Sequence, residues 1–371
     1  VTDLNVATTA RLTEDVSVNP VQPVQVETGS DLQVLASNDL VVKTDAGGAS
    51  VSESFSTEGT SVDIAVGGAD NSFTSTNATL AMIDGAHVSA DSLEVEATLA
   101  PEIENYAFGV AVSIAISTGQ FGFAAGFSGA FMQSNHSDSA EAGITASTIK
   151  TEQSISVNAK DETNLQTSSG SGSLQVTYGT VSVALAPSAV TNKVTTNNEV
   201  LAWIGSRPLT GGADPLVDTA VTDSSTLMAG GAVTVEATAD QTIENISVAV
   251  AVSVAAAPMW SSFAGAGSGA SSSVTTANVV KAAVNGVQDL AITDGDGLKV
   301  SAADEGTITA TVGSGAGSIG WFGGSIGVSL AEITNNDQVV AEIEKSQITT
   351  GTSGSPVKVT ATDSVTLNTL S

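Results

Sequence analysis

The sequence predicts an all-β protein folded as a repetitive β-solenoid, or β-helix. Hydrophobic residues make up 41% of the 371 residues but aromatic residues only 4%, so Ala and Val must fill the interior, and small residues suit a thin core. Runs such as 110–115 and 248–254 alternate β-branched with small residues, as strands do. Gly, Asn, Asp and Ser interrupt the chain too often for sustained helical periodicity.

A repeat of about 60 residues organises most of the chain. One pattern is Asn or Asp, then Ala four residues later and a β-branched residue six residues later; it begins at Asn77, Asp138, Asn198, Asn278 and Asp337. A second pattern, Val-x-Ala with Ile or Leu six residues after the Ala, follows each at Val95, Val157, Val235, Val300 and Val359. The first positions differ by 61, 60, 80 and 59, so one unit carries an insertion of about 20 residues.

We expect each unit to divide into three coils of about 20 residues, with every strand stacked on its equivalent one coil later. About 18 coils at roughly 4.8 Å each would then give a rod about 85–90 Å long. The five Asn and Asp residues would form a structural ladder along one edge, hydrogen-bonding to turn backbone groups. The alternative architecture is a string of small β-sandwiches of about 60–80 residues.

The predicted organisation has two parts. Residues 1–40, with Pro20 and Pro23, are an irregular lead-in or a degenerate repeat, and residues 41–371 are β-solenoid repeats. The insertion falls near 205–222, where Gly and Pro pairs predict a loop. Such a loop is either a tolerated surface insertion or a functional one.

The motifs described above are similar to those of a known class of repeat proteins. The Val-x-Ala strand, the Asn-x-x-x-Ala-x-Ile segment and the alternating Gly/Ala/Ser-rich run between them resemble the repeats of large bacterial surface and secreted exoproteins, notably leukotoxin-like filamentous adhesins, over residues 77–371. The motifs are degenerate, and no receptor-binding residue carries over. The resemblance implies a secreted β-helical stalk displayed at the cell surface.

The charge limits the partners. A net charge of −29, with 10 Lys and Arg against 39 Asp and Glu, argues against nucleic acid, which requires clustered basic residues. Residues 110–132 carry no charge, but their glycines and alternation are poor for a spanning helix, so we expect no membrane insertion. The acidic surface suits solubility in a salty medium and, as an alternative, binding of divalent cations.

The inventory of reactive residues predicts no catalysis and no cofactor. The chain has no Cys and two His, His87 and His136, both expected at the surface, so structural zinc and Cys nucleophiles are excluded. A carbohydrate-active β-helix enzyme, the least favoured alternative, would need basic residues clustered in a groove, whereas the basic residues are scattered singly along the chain.

Two features leave binding open. Asp294-Gly-Asp296-Gly resembles a calcium loop, although a plain Asp-Gly turn explains it as well. Aromatic residues recur before the Asn/Asp position at Phe121, Tyr178, Trp260 and Trp321. They form either a glycan-stacking stripe or a row of plugs that closes one corner of the core, and we expect the plugs.

The sequence therefore predicts a structural or adhesive segment of an extracellular or cell-surface bacterial stalk or fibre. A self-assembling subunit of an extracellular matrix filament is the alternative. The expected partners are neighbouring repeats or copies of the chain itself, and a glycan or protein on a host or cell surface.

Overall fold

The computed structural model describes residues 1–13, 23–208, 224–258, 261–293, 297–351 and 355–371. These residues form thirty β-strands and no helix, which confirms the all-β prediction. The described part of the chain therefore contains no helix long and apolar enough to cross a membrane.

The strands follow a cycle of five. The first, partial cycle is β1 (Thr2–Leu4), β2 (Ala7–Thr13), β3 (Val24–Glu27) and β4 (Leu32–Asn38). The next two are β5 (Val41–Ser56), β6 (Thr60–Ser75), β7 (Ala78–Asp84), β8 (Ala86–Ala90), β9 (Leu93–Leu99), and β10 (Glu102–Ser117), β11 (Phe121–His136), β12 (Ser139–Thr145), β13 (Thr148–Thr151), β14 (Ile155–Asp161).

The remaining cycles repeat this order. They are β15 (Asn164–Tyr178), β16 (Val181–Thr196), β17 (Glu199–Gly205), β18 (Thr226–Ala229), β19 (Val233–Ala239); β20 (Thr242–Ala256), β21 (Ser261–Thr276), β22 (Val279–Asn285), β23 (Asp289–Ile292), β24 (Leu298–Asp304); and β25 (Thr307–Ile319), β26 (Phe322–Asn335), β27 (Gln338–Glu344), β28 (Ile348–Thr350), β29 (Val357–Asp363), followed by β30 (Thr366–Leu370).

Each strand pairs in parallel with its equivalent in the next cycle, giving five sheets of six strands. Glu102 of β10, for example, lies between Val41 of β5 and Asn164 of β15. The sheets run through all cycles, as in a β-solenoid and unlike a string of separate sandwiches.

The predicted division of each repeat unit into three coils is wrong. Equivalent residues of neighbouring strands are one full 60-residue unit apart, as Ala81 and Ala142 are, so one unit forms one wide coil of five strands and not three coils of about 20 residues. At about 4.8 Å between strands, six strands stack to only about 25–30 Å, and the expected rod of 85–90 Å is wrong.

The coil has two parts in cross-section. Two long strands per coil form a blade: the outgoing sheet (β5, β10, β15, β20, β25, β30) and the returning sheet (β1, β6, β11, β16, β21, β26) lie face to face and meet at a tip turn. Most of the long strands have 15 or 16 residues, so the blade extends about 50 Å. The other three strands of each coil form a compact head.

The apolar residues of the two sequence patterns lie on strands of the head and face its interior. Ala81 and Ile83 lie on its first strand, and Val95 and Ala97 on its third; all four are fully buried. The same positions in the later coils, except the last, are also buried, and together they form the main hydrophobic core. The Ile or Leu after Val-x-Ala, such as Ile103, fills the root of the blade.

The blade interior is thin because its inward residues are small, mostly Ala, Ser and Gly. The two backbones come so close that some positions accept no side chain. A Cβ on Gly109 would lie 2.0 Å from the carbonyl oxygen of Gly129, and one on Gly67 would lie 1.8 Å from that of Val110. Glycine is required there by close approach.

The N-terminal strands belong to the stack, and the insertion falls between two strands of the head in chain order. The described residues of 1–40 supply β1 to β4, each paired in parallel with the following coil. The insertion near 205–222 lies between β17 and β18, and residues 209–223 are outside the described part.

Gly109→Val should destabilise the protein by about 2–3 kcal/mol, the usual cost of forcing extra carbons into a packed interior, since backbone atoms of the facing strand occupy the space. Gly172→Val is the matched control, because no atom lies within 4 Å of its added Cβ and its sheet neighbours are Val110 and Val250. Urea unfolding of both variants measures the difference. Equal losses would contradict the close approach of the two sheets.

Candidate functional site: the axial ladder at the blade root

The five Asn and Asp residues lie one above another at the turn where the returning strand enters the head. The backbone N–H of Asp138 donates to Oδ1 of Asn198 at 3.0 Å, and the N–H of Asn198 donates to Oδ1 of Asn278 at 2.9 Å. The N–H groups of Asn77 and Asn278 donate likewise to Asp138 and Asp337, and that of Val6 donates to Asn77. We call this row the axial ladder.

The ladder satisfies backbone donors at a bend in every coil. A buried N–H without a partner costs about 1–3 kcal/mol, and the side-chain oxygen of the next coil supplies the partner here. Either Asn or Asp offers that oxygen, which explains why both occur in the row.

A second buried polar row faces the ladder where the head returns to the blade. Asn198 Nδ2 donates to Asp161 Oδ2 at 2.8 Å, and Gln241 Nε2 donates to the same oxygen. Asn278 Nδ2 donates to Gln241 Oε1 at 3.2 Å. Burial raises the pKa of Asp161, against these hydrogen bonds, which lower it. The network joins neighbouring coils across the inside of the blade root.

Near the last coil this network contains two interacting carboxyl groups. Burial, and secondarily the charge of Asp337, raises the pKa of Asp304 to about 7. Burial also raises the pKa of Asp337, whose carboxylate accepts the N–H of Asn278 and the hydroxyl of Thr276. The pair therefore holds a proton at mildly acidic pH.

The two histidines differ from expectation in part. His87 is exposed on the head, as expected, whereas His136 is fully buried in the blade root, so its predicted surface position is wrong. Its Nε2 lies 2.8 Å from Ser134 Oγ, and its ring centroid lies 5.6 Å from that of Phe73. It belongs to β11, whose alternation turns it inward, despite the polar residues around it.

Several basic residues are paired with acidic residues of neighbouring coils. These inter-coil ion pairs are Arg11 with Asp84, Lys43 with Glu104, Lys160 with Glu96, Arg207 with Glu141, Lys281 with Glu342 and Lys299 with Glu236. Each is partly exposed and contributes about 0–1 kcal/mol. They disperse the positive charge along the stack.

The described residues contain no group of three or more His, Asp or Glu side chains that could hold a metal ion. Asp294 and Asp296, the calcium candidates, lie outside the described part of the chain.

The aromatic positions are at the blade tip and not in the core. Phe121 begins a returning strand, Tyr178 ends an outgoing strand, and Trp321 lies in a tip turn. Tyr178 is 44% exposed and Trp321 77%, so the expectation that these residues plug the core is wrong. Trp260 lies outside the described residues.

Sequence reasoning missed the apolar outer surface of the blade. Outward positions of both blade sheets carry Val, Ile and Phe, including Val66, Phe108, Phe127 and Val250, each more than 40% exposed. The signal was present in the alternating runs, where the small residue of each pair faces inward and the larger one faces out.

No protein-family model, curated protein or solved structure matches this chain.

Asn198→Ala should lower the free energy of unfolding by about 2–4 kcal/mol, because the N–H of Asp138 and the carboxylate of Asp161 both lose a buried partner. Asn197→Ala is the control, since its side chain is exposed at the adjacent position. Chemical denaturation of the two variants is the measurement. If Asn197→Ala costs as much as Asn198→Ala, the ladder does not carry this stability.

The carboxyl pair predicts a pH dependence. Because the pKa of Asp304 is raised to about 7 from 3.8, the folded protein keeps its proton between about pH 4 and 7 while the unfolded chain releases it. The free energy of unfolding should therefore fall as pH rises through that window, by a few kcal/mol at most.

Asp304→Asn should flatten this fall, and Asp240→Asn, an exposed substitution, should leave it unchanged. Unfolding curves from pH 4 to 8 compare the three proteins. A wild-type profile that matches that of Asp304→Asn would contradict the assignment.

Proposed function

We propose that this chain is a structural, non-catalytic segment of a bacterial extracellular or cell-surface stalk or fibre. One observation carries the proposal: five parallel sheets continue from the first coil to the last with equivalent residues stacked throughout. In such an architecture each coil contacts only its neighbours, so length can grow by adding coils.

The effect of stacking is visible when the last strands are compared with the equivalent positions inside the stack. Val357, Val359 and Leu367 occupy positions equivalent to the buried residues Leu298, Val300 and Ile308. They are 50%, 45% and 48% exposed, whereas the equivalent positions inside the stack are buried. A further coil, from the same chain or from another copy, would bury these side chains and pair the open strand edges.

The polar contacts between coils support a structural role. The axial ladder, the Asp161 network and the inter-coil ion pairs join one coil to the next. These groups hold the coils in register, which is what a stalk requires of its interior.

Composition supports the extracellular location. A net charge of −29 with no Cys suits a long acidic surface outside the cell that depends neither on thiols nor on disulfides. The resemblance of the repeats to bacterial exoproteins points the same way. A stalk at the cell surface would hold a binding region away from the envelope.

The self-assembling filament remains the second candidate, because the same exposed end could receive another copy. The two differ in what covers Val357 and Leu367: in a stalk it is the same chain, and in a filament it is a second copy.

Immunogold labelling of intact cells that make the protein tests the location. Antibodies raised against residues 41–371 should label projections outside non-permeabilised cells, while antibodies to a cytosolic marker should not. Labelling that appears only after lysis would contradict the proposal.

Removal of one coil tests its structural basis. Deleting residues 102–163 joins Pro101 to Asn164, which is the register equivalent of Glu102, so β15 to β19 should stack directly on β5 to β9. We expect unchanged strand content by circular dichroism and a stack thinner by about 5 Å in electron micrographs. Deleting residues 102–131 instead leaves half a coil and should unfold the protein. Equal damage from both deletions would contradict a modular stack.

A further inference from the structure

The outer side of the returning sheet forms a continuous apolar surface. It comprises the outward residues of β6, β11, β16, β21 and β26 between the tip and the middle of the blade, and we call it the returning face. Val62, Ile64, Phe127, Phe263 and Ile326 on this face are between 48% and 71% exposed. Their inward neighbours are Ser, Ala or Gly, apart from the buried Asp63 between Val62 and Ile64, so the larger apolar side chains lie outside.

The returning face is depleted of charge in a strongly acidic protein. The outward residues of β11, β16 and β21 from the tip to the level of Thr191 include no Asp, Glu, Lys or Arg. Asp70, on β6, marks its inner edge. The distribution allows two copies to approach at the blade while their acidic heads stay apart.

The returning face carries a groove and, next to it, a ridge of side chains. A groove of about 480 Å³ runs across the strands, with Gly68, Gly129 and Ala189 along its floor and Phe127 and Phe131 beside it. Phe127 and Val66 pair across neighbouring strands to form a ridge next to this groove. One surface therefore offers both a ridge and a groove, the condition for packing against its own copy.

The area suits a specific interface. About 11 residues along each strand and five strands across give roughly 35 Å by 24 Å, or about 800 Å². The largest apolar patch on a typical monomer is about 300–600 Å², and a stable interface covers about 800 Å² on each partner. A surface of this size, with Asp70 at its edge as its one charged residue, is expected to be covered.

We propose that the returning face binds the returning face of a second copy of this chain. The ridge at Phe127 of one copy fills the groove over Gly129 of the other, and the sheets pack at about 10 Å, as in a β-sandwich. The pairing is side by side and independent of any extension at the coil ends. Anionic lipid is a poorer occupant, because a net charge of −29 repels it.

Sedimentation equilibrium of the wild-type chain, Phe127→Lys and Phe108→Lys tests the proposal. Phe108 is the matched control: it lies on the outer side of the outgoing sheet and is 50% exposed, against 48% for Phe127. Between 1 and 100 µM we expect a dimer of the wild type, at least tenfold weaker association of Phe127→Lys, and no change for Phe108→Lys. Circular dichroism checks that each variant is folded.

Thiol protection provides a second readout, since the chain has no cysteine of its own. Ala189→Cys, in the groove floor, should react with a maleimide at least five times more slowly at 100 µM than at 1 µM. Ala49→Cys, exposed on the outgoing sheet, should react at the same rate at both concentrations.

Three results would overturn the proposal. A wild type that stays monomeric at 100 µM excludes the dimer, and flotation of that monomer with phosphatidylcholine vesicles would assign the face to lipid instead. Equal weakening by both lysine variants would exclude the returning face as the specific site. Open-ended growth unaffected by Phe127→Lys would indicate end-to-end assembly, which the filament candidate predicts and this pairing does not.

Discussion

The stacking of each residue on its equivalent one coil later is the constraint on which the whole structure depends. Parallel strands pair their backbone groups only with the coils above and below, so an irregularity in one coil would disturb its neighbours at the same place. The pairing of β10 with both β5 and β15, over nearly its full length, shows how strictly this register is kept. The 20 extra residues of one unit fall between β17 and β18, and both of these strands keep their register with the next coil.

Register in the long blade needs support from outside the strand ladder. A slip of one residue would turn every small inward side chain outward, and close contacts such as Gly109 with Gly129 leave no room for the larger ones. The axial ladder fixes the same register at the blade root through buried hydrogen bonds from coil to coil. Small residues and the ladder thus perform complementary tasks: one permits the close approach of the sheets, and the other sets their alignment.

Much of the fold could be predicted from the sequence, because the repeat fixes which residues are equivalent. The repeats that begin with the Ala81 and Val95 patterns are the stacked coils, and burial recurs at these positions in every coil except the last. The length of the repeat does not by itself show how many coils one repeat unit forms. Strand length could have done so: the 16 residues of β10 leave no room in a 20-residue coil for a second strand of that length. At His136 the flanking Asn135 and Ser137 are turn-forming residues, yet the alternation of β11 turns the ring inward. The outer surface of the blade was missed because apolar residues are expected inside.

One wide coil per repeat is the central claim, and a cysteine pair tests it directly. Ser89 of β8 and Lys150 of β13 are exposed neighbours in adjacent coils, and Met228 of β18 lies one coil further on. Mild oxidation of a Ser89→Cys, Lys150→Cys variant should form an intramolecular disulfide, because the two Cα atoms are about 5 Å apart. A Ser89→Cys, Met228→Cys variant, with the thiols about 10 Å apart, should remain reduced. Failure of the first pair to form would contradict the account, since three narrow coils per repeat would place those residues about 14 Å apart.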